Sequence, residues 1–293
     1  MAVPTQTIAS PPQSPASGAS NGLLRFFVLT FAFTWTCFLL AVAWTRGRAP
    51  GASLSAGVQA IVLLGTFAPA IVALALTARA SHAPGVRALL ARLVRWEVGG
   101  RWYAFALGYT VAVKLGGAVL THIVTGAWPR FAWAAAPLLL AATLFSTLVG
   151  GQLGEELGWR GFALPRLARR IGLSGASLVL GAIWAAWHLP LFYVHGADTF
   201  GQSFPFYLLQ VSGLSVAVAW LWWRTRGSLL LTMLMHAAIN NLSPIVPALA
   251  RAPADPFTPA APLQSWVTLA VLWATAAVLL WQMRNADPAA WER

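Results

Sequence analysis

Long apolar runs separated by short polar stretches dominate this chain. A helix that crosses a bilayer needs roughly 20 mainly apolar residues. By that measure spans are predicted near 24–44, 54–78, 102–124, 134–158, 173–193, 204–223, 228–249 and 264–283. The pattern thus predicts an all-α, polytopic transmembrane helical bundle of about eight spans. Residues 1–22, rich in Ser, Pro, Ala and Gln without an apolar period, read as a disordered N-terminal tail. Residues 23–284 read as one transmembrane domain and 285–293 as a C-terminal tail. The first run is too long for a secretory core and lacks a basic flank, so it is expected to remain as a helix. Pro69, in Thr66-Phe67-Ala68-Pro69-Ala70, is expected to kink or interrupt the second span. In the loop that follows, Arg87, Arg92 and Arg95 are interleaved with Leu89, Leu90 and Leu93, the pattern of an interfacial amphipathic helix over about 84–98.

Composition agrees with a membrane chain. It is 58% apolar and 9% charged with mean hydropathy +0.69, too little charge to wet a soluble globule of 293 residues. The formal charge of +12 would suggest nucleic acid in a soluble protein. Here the positive-inside rule accounts for it, and no nucleic-acid partner is expected. Fourteen basic residues fall in the N-tail, the 79–101 and 160–172 loops, the Arg224/Arg226 turn and the C-tail. Only Arg46, Arg48, Arg130 and Arg251 fall on the opposite side, and Lys114 lies inside the third span. Both termini are therefore expected in the cytoplasm, with anionic lipid as a partner at that face. Eighteen Arg against one Lys, with abundant Ala, point to a GC-rich bacterial coding sequence and so to the bacterial inner membrane. Cys37 alone allows neither an intrachain disulfide nor a Cys-rich metal site.

Five of the seven acids lie in loops or tails, but Glu155 and Glu156 close an apolar run. Ionisable groups in hydrocarbon are costly and mark function by default. A Glu156–Arg160 pair at i,i+4 could simply anchor the helix end. That needs one acid, and the second lies about 100° away, facing elsewhere in the bundle. Two adjacent carboxylates resist simultaneous ionisation, so Arg160 is expected to keep Glu156 charged and leave Glu155 for general-base duty. Of five histidines, His188 and His236 sit well inside apolar helices, while His82, His122 and His195 do not. Each could be a packing residue alone; together with the glutamates they suggest a site. His236 and Asn240 share a helix face. At ~1.5 Å rise per residue, all these groups fall within reach of one depth in the membrane. Lys114 falls there too, as a counter-ion or as a snorkelling side chain.

Three motifs in order, Glu155-Glu156-Leu157-Gly158-Trp159-Arg160, Trp184-Ala185-Ala186-Trp187-His188 and His236-Ala237-Ala238-Ile239-Asn240, resemble the CPBP intramembrane proteases. That family (also called Abi) comprises type II CAAX prenyl endopeptidases and bacteriocin-processing proteins. The likeness covers about residues 130–250. EExxxR and HxxxN are intact, while Trp184 stands where the middle motif usually has Phe. The resemblance implies proteolysis within the membrane, with Glu155 as general base and His188 as its partner. Glu156 and Arg160 would fix geometry or hold substrate, and His236 and Asn240 would donate to the oxyanion. No cofactor is then required. The alternative is a zinc protease with Glu155, His188 and His236 as ligands, although the chain has no HExxH.

Other readings are weaker. Gly172-Leu173-Ser174-Gly175 spells a GxSG of serine intramembrane proteases, but Ser174 follows Arg169-Arg170 and reads more simply as an N-cap. A transporter could use Glu155, Glu156 and Lys114 as an ion relay, and a non-catalytic scaffold could retain the motifs. The expected substrate is a membrane-embedded or lipidated peptide, either a prenylated tail or a leader peptide, reached from the cytoplasm. Trp159, Trp184, Trp187 and Phe192 around the site fit such a substrate, and fit packing equally well.

Overall fold

The computed structural model describes residues 15–48, 53–247 and 255–287, and these are helical with no strand among them. The helices are α1 (Pro15–Thr45), α2 (Ala56–Thr66), α3 (Ala68–Ala91), α4 (Gly100–Thr125), α5 (Ala136–Val149), α6 (Gly151–Gly158), α7 (Leu164–Trp187), α8 (Phe204–Arg224), α9 (Leu229–Leu242) and α10 (Leu263–Met283). Among the described residues, six continuous stretches are long and apolar enough to cross a membrane, Ala56–Val94 and Gly151–Tyr193 included. Two shorter apolar helices, Trp133–Val149 and Leu229–Ile245, stand where the fourth and seventh spans were expected. Phe145, Leu138 and Ile123, each about 70% exposed, would be an anomaly in water; here they form part of the lipid-facing surface of a multi-pass membrane protein.

Of the expected tail 1–22, residues 1–14 lie outside the described residues, and α1 already begins at Pro15. The expected C-terminal tail lies outside them from residue 288 onward. Helix propagation costs little once a long apolar helix has nucleated, so α1 can start upstream of its apolar run.

The expected fourth span, 134–158, is not one helix. Backbone at Gly150 is extended (ψ 177°), which ends α5 and starts α6 afresh. A Gly-Gly step is a common place for such a break. Glu155 and Glu156 therefore belong to a separate helix rather than to the end of a span. This helix passes through a π turn, Trp159–Ala163, into α7. Its smooth side is Gly151, Gly154 and Gly158, spaced i, i+3, i+7 and so on one face. That face lies against the α2–α3 junction: a Cβ on Gly154 would meet the Phe67 Cα at 2.8 Å, and one on Gly158 would overlap Pro69. The junction is the interruption expected from Pro69, which sits in the first turn of α3 where it costs no hydrogen bond. Small residues allow this close backbone approach within a membrane.

At Ile171 and Gly172 (φ +70°) the helical geometry fails and the chain folds back. Glu155 and His188 stand 17 and 16 residues either side of Gly172, so the two arms carry them to the same level. α3 bends at His82 (φ +49°), and the segment beyond it carries the arginines of the expected interfacial helix, ending in a 3-10 turn at Arg92–Val94. Leu89 is buried against Gly161, while Leu90, Val94 and Trp96 are exposed.

The two ends of the bundle are distinguished by their cross-links. At one, Arg95 donates to the Arg226 carbonyl and Ser228 Oγ to the Arg95 carbonyl at 2.6 Å. At the other, the Ala132 amide donates to the Ile245 carbonyl and the Phe204 amide to that of Pro256. The 79–101 loop and the Arg224/Arg226 turn thus share an end, as their charge suggested.

Candidate active site

Glu155 and Glu156 leave α6 in different directions and meet different partners. Glu156 is fully buried and accepts from Arg160 Nη1 at 2.8 Å, one turn on. Its same oxygen, Oε1, accepts from His236 Nδ1–H at 2.9 Å. Arg160 is also fully buried; its Nη2 reaches Ser215 Oγ at 3.5 Å, and that hydroxyl donates to the Ser177 carbonyl. A buried ion pair is not in itself a large gain in stability, but removing one partner strands the other charge. The trio of Arg160, Glu156 and His236 therefore ties the π turn to α9 and fixes the ring of His236.

Glu155 accepts from Trp184 Nε1–H at 2.6 Å through Oε2. His188 Nε2 lies 3.9 Å from that oxygen. The ring's other nitrogen is committed: Nδ1–H donates to the Trp184 carbonyl at 2.8 Å. A carbonyl only accepts, so the neutral ring carries its proton on Nδ1 and turns an unprotonated Nε2 toward Glu155. Trp187 and Tyr207 pack edge-on against the same imidazole, with centroids 4.6 and 5.6 Å away.

Trp184 links the two halves. Its indole N–H holds Glu155, its face lies 4.3 Å below the Arg160 guanidinium, and its ring packs edge-on against His236 at 5.0 Å. Phe, the usual residue at this place in the motif, could supply the aromatic face but not the donor. Sequence reading identified Trp184 as an aromatic and missed this role. It also missed Tyr207, Ser215 and Gln152, which is buried one turn before Glu156 with an Oε1 that has no partner. The roles of Trp184, Tyr207 and Ser215 depend on which helices pack together, and no local spacing signals that; Gln152 is local, one turn from Glu156 on α6.

Five of the six expected site residues, Glu155, Glu156, Arg160, His188 and His236, converge around Trp184. Asn240 lies one turn beyond His236 on the same face of α9 and is exposed. Lys114 is not among them; it lines a separate cavity between α4, α8 and α10. Ser174 Oγ donates to the Leu280 carbonyl at 3.0 Å instead of capping a helix. The three side chains of the zinc alternative do not gather at one point: Glu155 and His188 approach each other, while His236 turns Nδ1 to Glu156 and keeps Nε2 free. Among the described residues no group of three His, Cys, Asp or Glu side chains could hold a metal ion.

Residues 133–242, from the turn before α5 to the end of α9, match the family model for type II CAAX prenyl endopeptidases, Rce1-like. The match covers less than half of the chain and marks a likeness of this segment to that family. A curated relative, CAAX prenyl protease 2 of Methanococcus maripaludis, is 29% identical over 140 residues, which are 46% of this chain and 49% of that protein. The chain thus spans about half the length of the relative it matches. The matched segment contains the Arg160–Glu156–His236 trio, the Glu155–Trp184–His188 group and Asn240, whereas Lys114 lies outside it.

Proposed function

We propose that the chain is an intramembrane endopeptidase that hydrolyses a peptide bond of a lipidated, membrane-associated substrate. A prenylated C-terminal tail is the favoured form, in keeping with the name of the archaeal relative; a leader peptide is the alternative. The observation that carries the reading is the approach of Glu155 Oε2 and His188 Nε2, 3.9 Å apart on two arms of one folded-back helix. Both atoms are acceptors facing one space. They can hold the two hydrogens of a water molecule and leave its lone pair free for attack.

Attack on the scissile carbonyl carbon forms the new C–O bond and moves a proton from water to Glu155. The carbonyl oxygen becomes an oxyanion. Asn240 Nδ2–H and His236 are its donors, with Glu156 holding Nδ1 of His236 so that Nε2 faces the substrate; Nε2 donates when the ring carries a second proton. The C–N bond then breaks and the proton passes from Glu155 to the leaving amine. Arg160 has no direct part in these steps and keeps Glu156 in place. We take the reaction to be metal-free, because Glu155, His188 and His236 do not gather as a ligand set among the described residues. The zinc-dependent variant is its competitor.

The orientation follows the charge. Arg87, Arg95, Arg101, Arg224 and Arg226 are exposed at one end, which we place at the cytoplasmic face of a bacterial inner membrane, against anionic lipid. The test is cleavage of a fluorogenic prenylated tail peptide by purified protein in detergent. Ser174→Ala is expected to cut at the wild-type rate, and a zinc chelator to leave the rate unchanged. Loss of activity with chelator, restored by Zn²⁺, would transfer the chemistry to a metal; loss in Ser174→Ala would favour a serine enzyme.

A further inference from the structure

Outside the site just described, the most developed feature is a cavity of about 290 Å³ between α4, α8 and α10. Lys114 lines it, near the middle of α4 and about 16 Å of helix rise from Thr125, the nearer end of that helix. That is beyond the reach of a lysine that would snorkel to the near end. No acidic side chain lines the cavity, and among the described residues no carboxylate pairs with Lys114. Thr110, one turn away on α4, also lines the cavity; it is 4% exposed, and its buried hydroxyl has no hydrogen-bond partner. Gln210 adds an amide, and Phe206, Leu214 and Leu269 supply apolar wall. A cation with no acid beside it, in a cavity whose other polar groups are neutral amides and hydroxyls and whose remaining wall is apolar, calls for an anionic group on an apolar body.

The position of the cavity relative to the catalytic groups identifies that ligand further. Ser243 at the end of α9 is part of its wall. His236, Asn240 and Ser243 are spaced i, i+4, i+7 and so form one face of the helix running from the catalytic cluster to the cavity. Seven residues of rise separate His236 from Ser243, about 10 Å. An extended chain covers that distance in about three residues at 3.3–3.6 Å each. On α8, Tyr207 packs on His188 while its neighbour Phe206 lines the cavity. A peptide continuing past this point would offer Lys114 only neutral amides; one that ends there offers a carboxylate.

We propose that this cavity is the subsite for the C-terminal carboxylate of the substrate, with Lys114 as the specificity-determining residue that selects a free chain end. The proposal rests on the peptidase reading but can be tested apart from catalysis. The probe is a fluorescein-labelled peptide with an S-farnesyl cysteine three residues from its end, made as the free acid and as the C-terminal amide. Binding is followed by fluorescence anisotropy on the full chain carrying Glu155→Gln, so that nothing is cut. The free acid is expected to bind at least tenfold more tightly than the amide. Adding Lys114→Gln should lower acid binding to the level of the amide and leave amide binding unchanged, which also shows that the variant is folded; Lys114→Arg should keep the preference. Equal binding of acid and amide, absence of binding, or a preference that survives Lys114→Gln would overturn the proposal. A wild-type chain that prefers the acid but cuts neither peptide would keep the subsite and sink the peptidase reading.

Discussion

Trp184 shows how one side chain can decide what two neighbouring carboxylates do. Trp184→Phe keeps an aromatic face under Arg160 and removes only the donor to Glu155. The loss of a hydrogen bond to a charged group, worth about 1.5–3 kcal/mol, should fall on kcat, roughly tenfold or more, with KM and thermal midpoint little changed. Steady-state kinetics on the purified variant check this; a change confined to KM would contradict the role. Glu156 and Arg160 behave differently. Each is fully buried, so Glu156→Ala or Arg160→Ala leaves an uncompensated charge and should cost about 3–5 kcal/mol of stability. Glu155→Gln, which still accepts from Trp184, should unfold near the wild-type temperature in detergent. Equal midpoints for Glu155→Gln and Glu156→Ala would refute this division. The Glu156–Arg160 pair was legible because i,i+4 spacing is local. The partition between Glu155 and Glu156 was legible only as two directions from one helix, since Trp184, Ser215 and Tyr207 arrive from helices 29 to 59 positions away.

At the scale of elements, the site depends on α6 lying close to the break between α2 and α3. Gly154 and Gly158 make the approach possible, and a Cβ at 158 has only Pro69 and its backbone to push against. Gly158→Ala should therefore destabilise the fold by about 1–3 kcal/mol through overpacking and lower activity by displacing Glu155. A thermal midpoint and activity both at wild-type values would show that α3 yields freely. The π turn is a related case. Gly161 admits Leu89 and Leu229 against the turn, with Leu89 Cδ1 2.8 Å from where a Cβ would stand. Spans and the Pro69 interruption could be read from apolar runs and proline alone. The extended residue at Gly150 and the π turn could not, because hydropathy does not register the backbone angles of a glycine. Depths counted from span ends put Glu155 and His188 within reach of one level; the fold-back at Gly172 is what brings them there.

Across the whole molecule, charge and chemistry are separated along the membrane normal. The arginine-rich loops collect at one end, the glutamate–histidine site lies within the bundle, and the Lys114 cavity lies about 10 Å further along α9. A substrate anchored by lipid and entering from the basic end would meet these in that order. The membrane class and the motif residues were legible because they rest on composition and on side chains retained in order. The cavity was not, since Lys114 could be assigned neither a partner nor a wall before α8 and α10 were seen to pack around it. The central claim is that Glu155 delivers the water. The most direct measurement is mass spectrometry of the prenylated tail peptide after incubation with wild type and with Glu155→Gln in lipid vesicles. The account predicts that wild type releases the C-terminal fragment and that Glu155→Gln, equally folded, releases it about 10²–10⁴-fold more slowly. Release at the wild-type rate by Glu155→Gln, or none by wild type, would contradict it.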